Sequence, residues 1–138
     1  MWLEVQGTFK LTILTPLKTL YRGTVVKLNL KNEKGSFQVL HNHIPMISEI
    51  ETNITEFQTE DGDIKRLFTS LGMVRIEKNK VTLLCESGEW SENIDFERAE
   101  SAKKRAEERL NRKNESGIDI KRAEAALLRA VTRLDLRS

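Results

Sequence analysis

Six arginines in this chain stand in a register that suits phosphate chemistry. Residues 94–110, IDFERAESAKKRAEERL, return 24 positions later as residues 118–134, IDIKRAEAALLRAVTRL. Each copy carries arginine at its fifth, twelfth and sixteenth positions: Arg98, Arg105 and Arg109 in the first, Arg122, Arg129 and Arg133 in the second. At 100° per residue, steps of seven and four return to within about 20° of one line along a helix, so each copy offers three guanidinium groups as a stripe. A guanidinium is a planar, permanently charged fork whose donors match phosphate oxygens two at a time. Folding two such stripes together brings like charges near one another at some cost, unless an anion or acidic groups sit between them. Held down against the rest of the chain, the stripes could cradle a nucleotide. A solvated charged face is the plainer fate of the same pattern.

Helices must position these side chains, and the repeat supplies them. Each copy opens on an acid suited to a helix start, Asp95 and Asp119. For Asp95 the plain reading is an N-cap or first-turn acid paired with an arginine. About 80° round from the arginines, Ala99, Ala102, Ala106 and Leu110 form an apolar seam, matched by Ala123, Leu127, Ala130 and Leu134 in the second copy. Two facing seams make an antiparallel helical hairpin, turned by Asn111 to Gly117, NRKNESG. Alanine lets helices approach closely but buries little area, and at about 25 cal/mol per Å² the pair is marginal by itself. The hairpin is expected to need a docking partner and to be capable of leaving it.

Before residue 90 the period is two. FKLTILT, VVKLNL, SFQVL, ITEFQT, IKRLFTS, MVRIE and KVTLLC read as short strands separated by turn signals at residues 31–35, 60–63 and 78–79. The Asp61-Gly62 pair signals a hairpin. The fold class expected is α+β, an N-terminal antiparallel β-sandwich over residues 1–90 followed by a C-terminal two-helix antiparallel hairpin over residues 91–138, with the composition shifting between Ser87 and Asn93.

Composition narrows the function. With 138 residues, 38% hydrophobic and 32% charged, the chain suits one ordinary domain plus a small appendage. No run approaches 18 apolar residues, and the N-terminus alternates where a signal peptide would be continuously apolar, so a soluble protein without membrane insertion is expected. The formal charge is +2, and the C-terminal cations are interleaved with Glu97, Glu100, Glu107 and Glu108, which argues against nucleic acid as partner. The single cysteine, Cys85, lies in an apolar run and reads as a core residue. His41 and His43 lack further ligands at zinc spacing, so no metal site is expected and a structural role in the HNHIP turn is the plain reading. No nucleophile–base pair or Walker-type phosphate loop is present, so the chain reads as non-enzymatic.

Several segments together resemble the epsilon subunit family of bacterial F-type ATP synthases, along the whole chain. They are Gly35, Val39-Leu40 and Asn42-His43-Ile44-Pro45; then Ser70-Leu71-Gly72-Met73-Val74 and Val81-Thr82-Leu83-Leu84; then the I-D-x-x-R-A signature at 94–99 and again at 118–123. Gln38, His41 and Leu71 depart from the family pattern, and MWLEVQG at the N-terminus is additional to it.

The resemblance implies a non-catalytic rotor part of the central stalk, peripheral to the cytoplasmic face of the bacterial cell membrane. Its sandwich would dock on the gamma subunit and the c-ring, with His43, Ile44 and Met46 in the interface. Its hairpin would permit turnover when folded and restrain ATP hydrolysis when extended toward the alpha and beta subunits, where its arginines, Arg122 among them, would meet acidic surfaces. It further implies regulatory ATP binding in the folded hairpin through Glu89, Ile94, Asp95, Arg98, Arg105, Arg129 and Arg133. A free-standing nucleotide-sensing or adaptor module, never part of a rotary motor, is excluded by nothing in composition or periodicity.

Overall fold

The computed structural model of the chain describes residues 7–137, so the N-terminal MWLEVQ lies outside the described residues. The elements in chain order are β1 Phe9–Leu14, β2 Thr19–Asn32, β3 Gly35–Val39, β4 Met46–Ile50, β5 Asn53–Thr59, β6 Ile64–Thr69, β7 Gly72–Glu77, β8 Lys80–Cys85 and β9 Gly88–Trp90. A single 3-10 turn over Ser91–Asn93 leads to α1, Phe96–Asn111, and α2, Ile120–Leu134. The chain divides into two compact units, one ending at Glu89 and the other beginning at Trp90.

In the first unit the strands run in the order β4-β7-β8-β1-β2-β5-β6-β9, with β3 also on β2. β2 is fourteen residues long and pairs with β1 through its first half, then with β3 and β5 through its second. That change of neighbours lets one continuous path of strands fold over as a β-sandwich, with β4 and β9 at its two ends. Its interior is filled from alternate positions, Leu11 and Ile13 of β1, Leu28 and Leu30 of β2, Phe57 of β5 and Leu83 of β8, each 1% exposed or less. Period-two alternation is thus the physical basis of this unit, as the sequence suggests. β1 and β8 pair in parallel, whereas β1–β2, β2–β5, β5–β6 and β7–β8 are antiparallel.

Two turns follow their sequence signals closely. β5 and β6 are joined across Asp61-Gly62, where the Gly62 N–H donates to the Thr59 carbonyl at 3.0 Å. β7 and β8 are joined by Lys78-Asn79, with φ of 50° and 59°, the pair of left-handed residues a tight hairpin requires. At Gly72 a Cβ would stand 2.2 Å from the Leu84 carbonyl oxygen and 2.8 Å from the Cys85 Cα, so β7 approaches β8 too closely there for any side chain.

In the second unit α1 and α2 pack against one another. Arg137, just beyond α2, reaches Glu100 at 3.4 Å and lies 5.3 Å over the Phe96 ring at the start of α1, so the helices run antiparallel. Ala99, Ala106, Ala123 and Ala130, two from each helix at seven-residue spacing, are each 4% exposed or less. The seam expected from the sequence is therefore the buried line, with Ala102, Leu110, Leu127 and Leu134 half-buried beside it. Thr132 is also buried, and its hydroxyl donates to the Leu128 carbonyl at 2.6 Å, which satisfies it within its own helix. Gly117, at φ 88°, takes the left-handed conformation in the connection.

Candidate functional site

The arginine-bearing hairpin is built from its caps upward. Asp95 precedes α1 in an extended conformation, and its Oδ1 accepts the backbone N–H of Arg98 at 3.0 Å. Asp119 does the same for Arg122 at 3.1 Å. Both repeat acids are thus N-caps, each closing one orphan donor of the first turn. Ile94, 8% exposed, anchors the entry to α1, and its N–H donates to the Ser91 carbonyl at 3.2 Å.

The antiparallel register sorts the six arginines along the hairpin. Arg98 and Arg105 lie on α1 away from the turn, and Arg129 and Arg133 on the half of α2 that ends beside the start of α1. Arg109 and Arg122 gather at the turn, where with Gly117, Ile118 and Asp119 they line a cleft of about 300 Å³. Arg98, Arg105, Arg109 and Arg122 are exposed, while Arg129 and Arg133 are half-buried. Of the four arginines expected to hold nucleotide, Arg98 and Arg133 therefore stand toward the open end of the hairpin and Arg105 and Arg129 nearer its middle. Glu89 is the middle residue of β9, in the first unit.

On the sandwich, His43 and Ile44 lie in the loop between β3 and β4, and Met46 opens β4. Ile44 is 73% exposed. The His43 N–H donates to the Leu40 carbonyl at 3.1 Å, and the His43 Nδ1 is 2.8 Å from the Ile44 carbonyl oxygen. Because a carbonyl only accepts, that bond requires the proton on Nδ1.

Further apolar surface lies toward the other end of β7 and β8, away from the Lys78-Asn79 turn to which that loop is tied. Leu84 stands opposite Met73 across β7–β8, on outward-facing positions, at 47% and 44% exposure. With Pro16 and Leu71 they line a shallow cavity of about 420 Å³, and Leu17 nearby is 95% exposed. Sequence reading passed over these residues because it followed only the inward half of the alternation. Leu or Met at outward positions of two adjacent strands was the available signal. Cys85, by contrast, is 1% exposed, and burial pushes its thiol up to about 11. Among the described residues no group of three or more His, Cys, Asp or Glu could hold a metal ion, and no helix is long and apolar enough to cross a membrane.

Fold and site together define a two-part, β-sandwich-plus-helical-hairpin protein, with exposed apolar residues on the first part and repeated arginines on the second. Residues 8–91 match the family "ATP synthase, Delta/Epsilon chain, beta-sandwich domain", and residues 92–136 match "ATP synthase, Delta/Epsilon chain, long alpha-helix domain". The ATP synthase epsilon chain of Clostridium novyi (strain NT) is 43% identical over 107 residues, 78% of this chain and 82% of that one. That of Clostridium botulinum (strain Eklund 17B / Type B) is 44% identical over 103 residues, 75% and 77% of the two chains. In fold, the chain is similar to one in the cryo-EM structure of the Euglena gracilis mitochondrial ATP synthase OSCP/F1/c-ring, with a TM-score of 0.80 at 18% identity over 98% of this chain and 82% of that one. A chain of the Tetrahymena thermophila mitochondrial ATP synthase central stalk/c-ring gives a TM-score of 0.52 at 11% identity, over 62% of this chain and 69% of that one. The chain belongs to the ATP synthase epsilon family, and is a non-catalytic subunit of that enzyme.

Proposed function

We propose that this chain is the regulatory rotor subunit of a bacterial ATP synthase. Its sandwich docks on the gamma subunit and the c-ring through the His43, Ile44 and Met46 region, and so takes part in coupling ion translocation to ATP synthesis. The exposed Ile44 supports this, and the separate apolar surface around Met73 and Leu84, toward the other end of β7 and β8, marks a second area of protein contact. The subunit lies at the cytoplasmic face of the membrane as a peripheral part of the complex.

The hairpin is the switch. Folded, it permits turnover and holds ATP through Ile94, Asp95, Arg98, Arg105, Arg129 and Arg133. Extended, it meets acidic surfaces of the alpha and beta subunits through the same cations, Arg122 among them, and restrains ATP hydrolysis. The observation that carries this reading is the pairing of repeated arginine stripes with a seam whose buried line is alanine. So little apolar area leaves folded and extended states within a few kcal/mol, and a ligand shifts such a balance by its differential affinity alone. Calorimetric titration of the isolated chain with ATP tests the ligand. Co-purification from the source cell tests the assembly, because a rotor subunit must bring gamma with it. A chain that gives no heat with ATP has a purely protein-facing hairpin.

A further inference from the structure

The loop that carries His43 and Ile44 is tied to a hairpin far away in sequence. The Asn42 backbone N–H donates to Asn79 Oδ1 at 2.7 Å, and Asn79 Nδ2 donates to Asn42 Oδ1 at 3.1 Å. The two bonds fix the Asn79 amide without ambiguity, since its oxygen must accept from a backbone N–H and its nitrogen then faces the Asn42 oxygen. Asn79 is anchored in turn: its carbonyl accepts the Lys10 N–H at 2.9 Å, and it occupies the β7–β8 turn at φ 59°. Asn42 has φ 62°. Asparagine is among the few residues that reach this conformation easily and still carry a side chain able to bond.

We propose that Asn79 is a positioning residue for docking: it holds residues 42–44 in the shape in which Ile44 and the His43 ring meet the gamma subunit. This rests on the reading of that loop as docking surface. A loop ordered in advance loses less conformational freedom on binding, so the clamp raises affinity without touching the partner.

The test uses the full-length chain and purified gamma subunit, with affinity and the thermal unfolding midpoint measured for each variant. Asn79→Gly keeps the left-handed turn and removes both clamp bonds. It is expected to weaken binding about tenfold while leaving the midpoint close to that of the wild type. Asn79→Asp keeps the acceptor for the Asn42 N–H and should recover most of that loss. Asn42→Gly keeps the backbone bond and loses only the second one, so it should fall between them, and it carries the test if Asn79→Gly proves poorly folded. Wild-type affinity in both glycine variants overturns the proposal, as does a loss of affinity that only follows the unfolding midpoint. Ile44→Glu separates the two readings. If it abolishes binding while the clamp variants bind normally, only the clamp is wrong; if it too binds normally, the docking surface lies elsewhere.

Discussion

Asp95 accepts the Arg98 amide at 3.0 Å, and that cap fixes where α1 begins and hence which way the Arg98 stripe faces. The consequence for ATP is testable at single residues. A charge-assisted contact from arginine to phosphate contributes about 1.5 to 3 kcal/mol, so Arg98→Ala or Arg129→Ala should weaken ATP binding by roughly ten- to a hundredfold in calorimetric titration. Arg112, the C-cap of α1 and 4.0 Å from Glu115, stands outside the repeated stripe, and Arg112→Ala should leave the affinity unchanged. An equal loss in both would make the effect one of general charge. Cys85 supplies a second test, in pH. Burial lifts its thiol from 9.0 to about 11, so between those values the folded chain keeps a proton that the unfolded chain has lost. The stability involved is complete below about pH 9 and declines toward pH 11, and Cys85→Ala should flatten that decline in urea titrations at pH 8 and 10.5. Iodoacetamide at pH 8 should label Cys85 only after unfolding. Both caps and the burial of Cys85 were legible in the sequence, because each depends on a few neighbouring residues. The outward Leu84–Met73 pair was not, since it exists only through the register of β7 on β8.

Elements with strong local patterns emerged as read, and those made by long-range pairing did not. α1 and α2 follow from their seams and caps, and the β7–β8 hairpin follows from Lys78-Asn79. β4 and β9 escaped. Met46–Ile50 is a five-residue edge strand, open on one side and flanked by Pro45, and Gly88–Trp90 is only three residues long. Such short segments carry too little alternation to be told from loops, and their pairing with β7 and β6 comes from the strands already assembled beside them rather than from their own composition. The first half of β2, Thr19 to Thr24, was missed for a related reason: Gly23 and Arg22 interrupt the apolar rhythm while β1 pairs alongside. Gly72 shows how exacting one such pairing is. A Cβ there would press on the β8 backbone, which cannot swing aside as a side chain could, so Gly72→Ala should destabilise the sandwich by about 1 to 3 kcal/mol in urea unfolding. An unchanged midpoint would mean that β7 and β8 separate freely at that end.

At the scale of the whole molecule, the family shows a subunit in two parts, and the physics of each part assigns it a separate task. Residues up to Glu89 form a compact unit whose large core side chains, Phe57, Phe68 and Leu83 among them, are fully buried. The unit beginning at Trp90 has alanine along its buried line and half-buried leucines beside it, with Arg137 clasping Phe96 and Glu100 at its open end. The first should fold alone, so a chain ending near Glu92 is expected to keep a cooperative β-type unfolding transition and to bind gamma; loss of both would place the boundary elsewhere. The second should be dispensable for assembly but not for restraint. If extension of the hairpin is what blocks rotation, an ATP synthase assembled with the chain lacking residues 91–138 should hydrolyse ATP faster than the intact complex, most of all at low ATP, where the folded form is least favoured by ligand. Charge reversal of Arg122, Arg129 and Arg133 should act in the same direction, by repelling the acidic surfaces that the extended helix meets. Hydrolysis that stays the same across the whole range of ATP concentrations, with assembly intact, would leave the hairpin as a structural arm and the arginine stripes as a fixed contact surface.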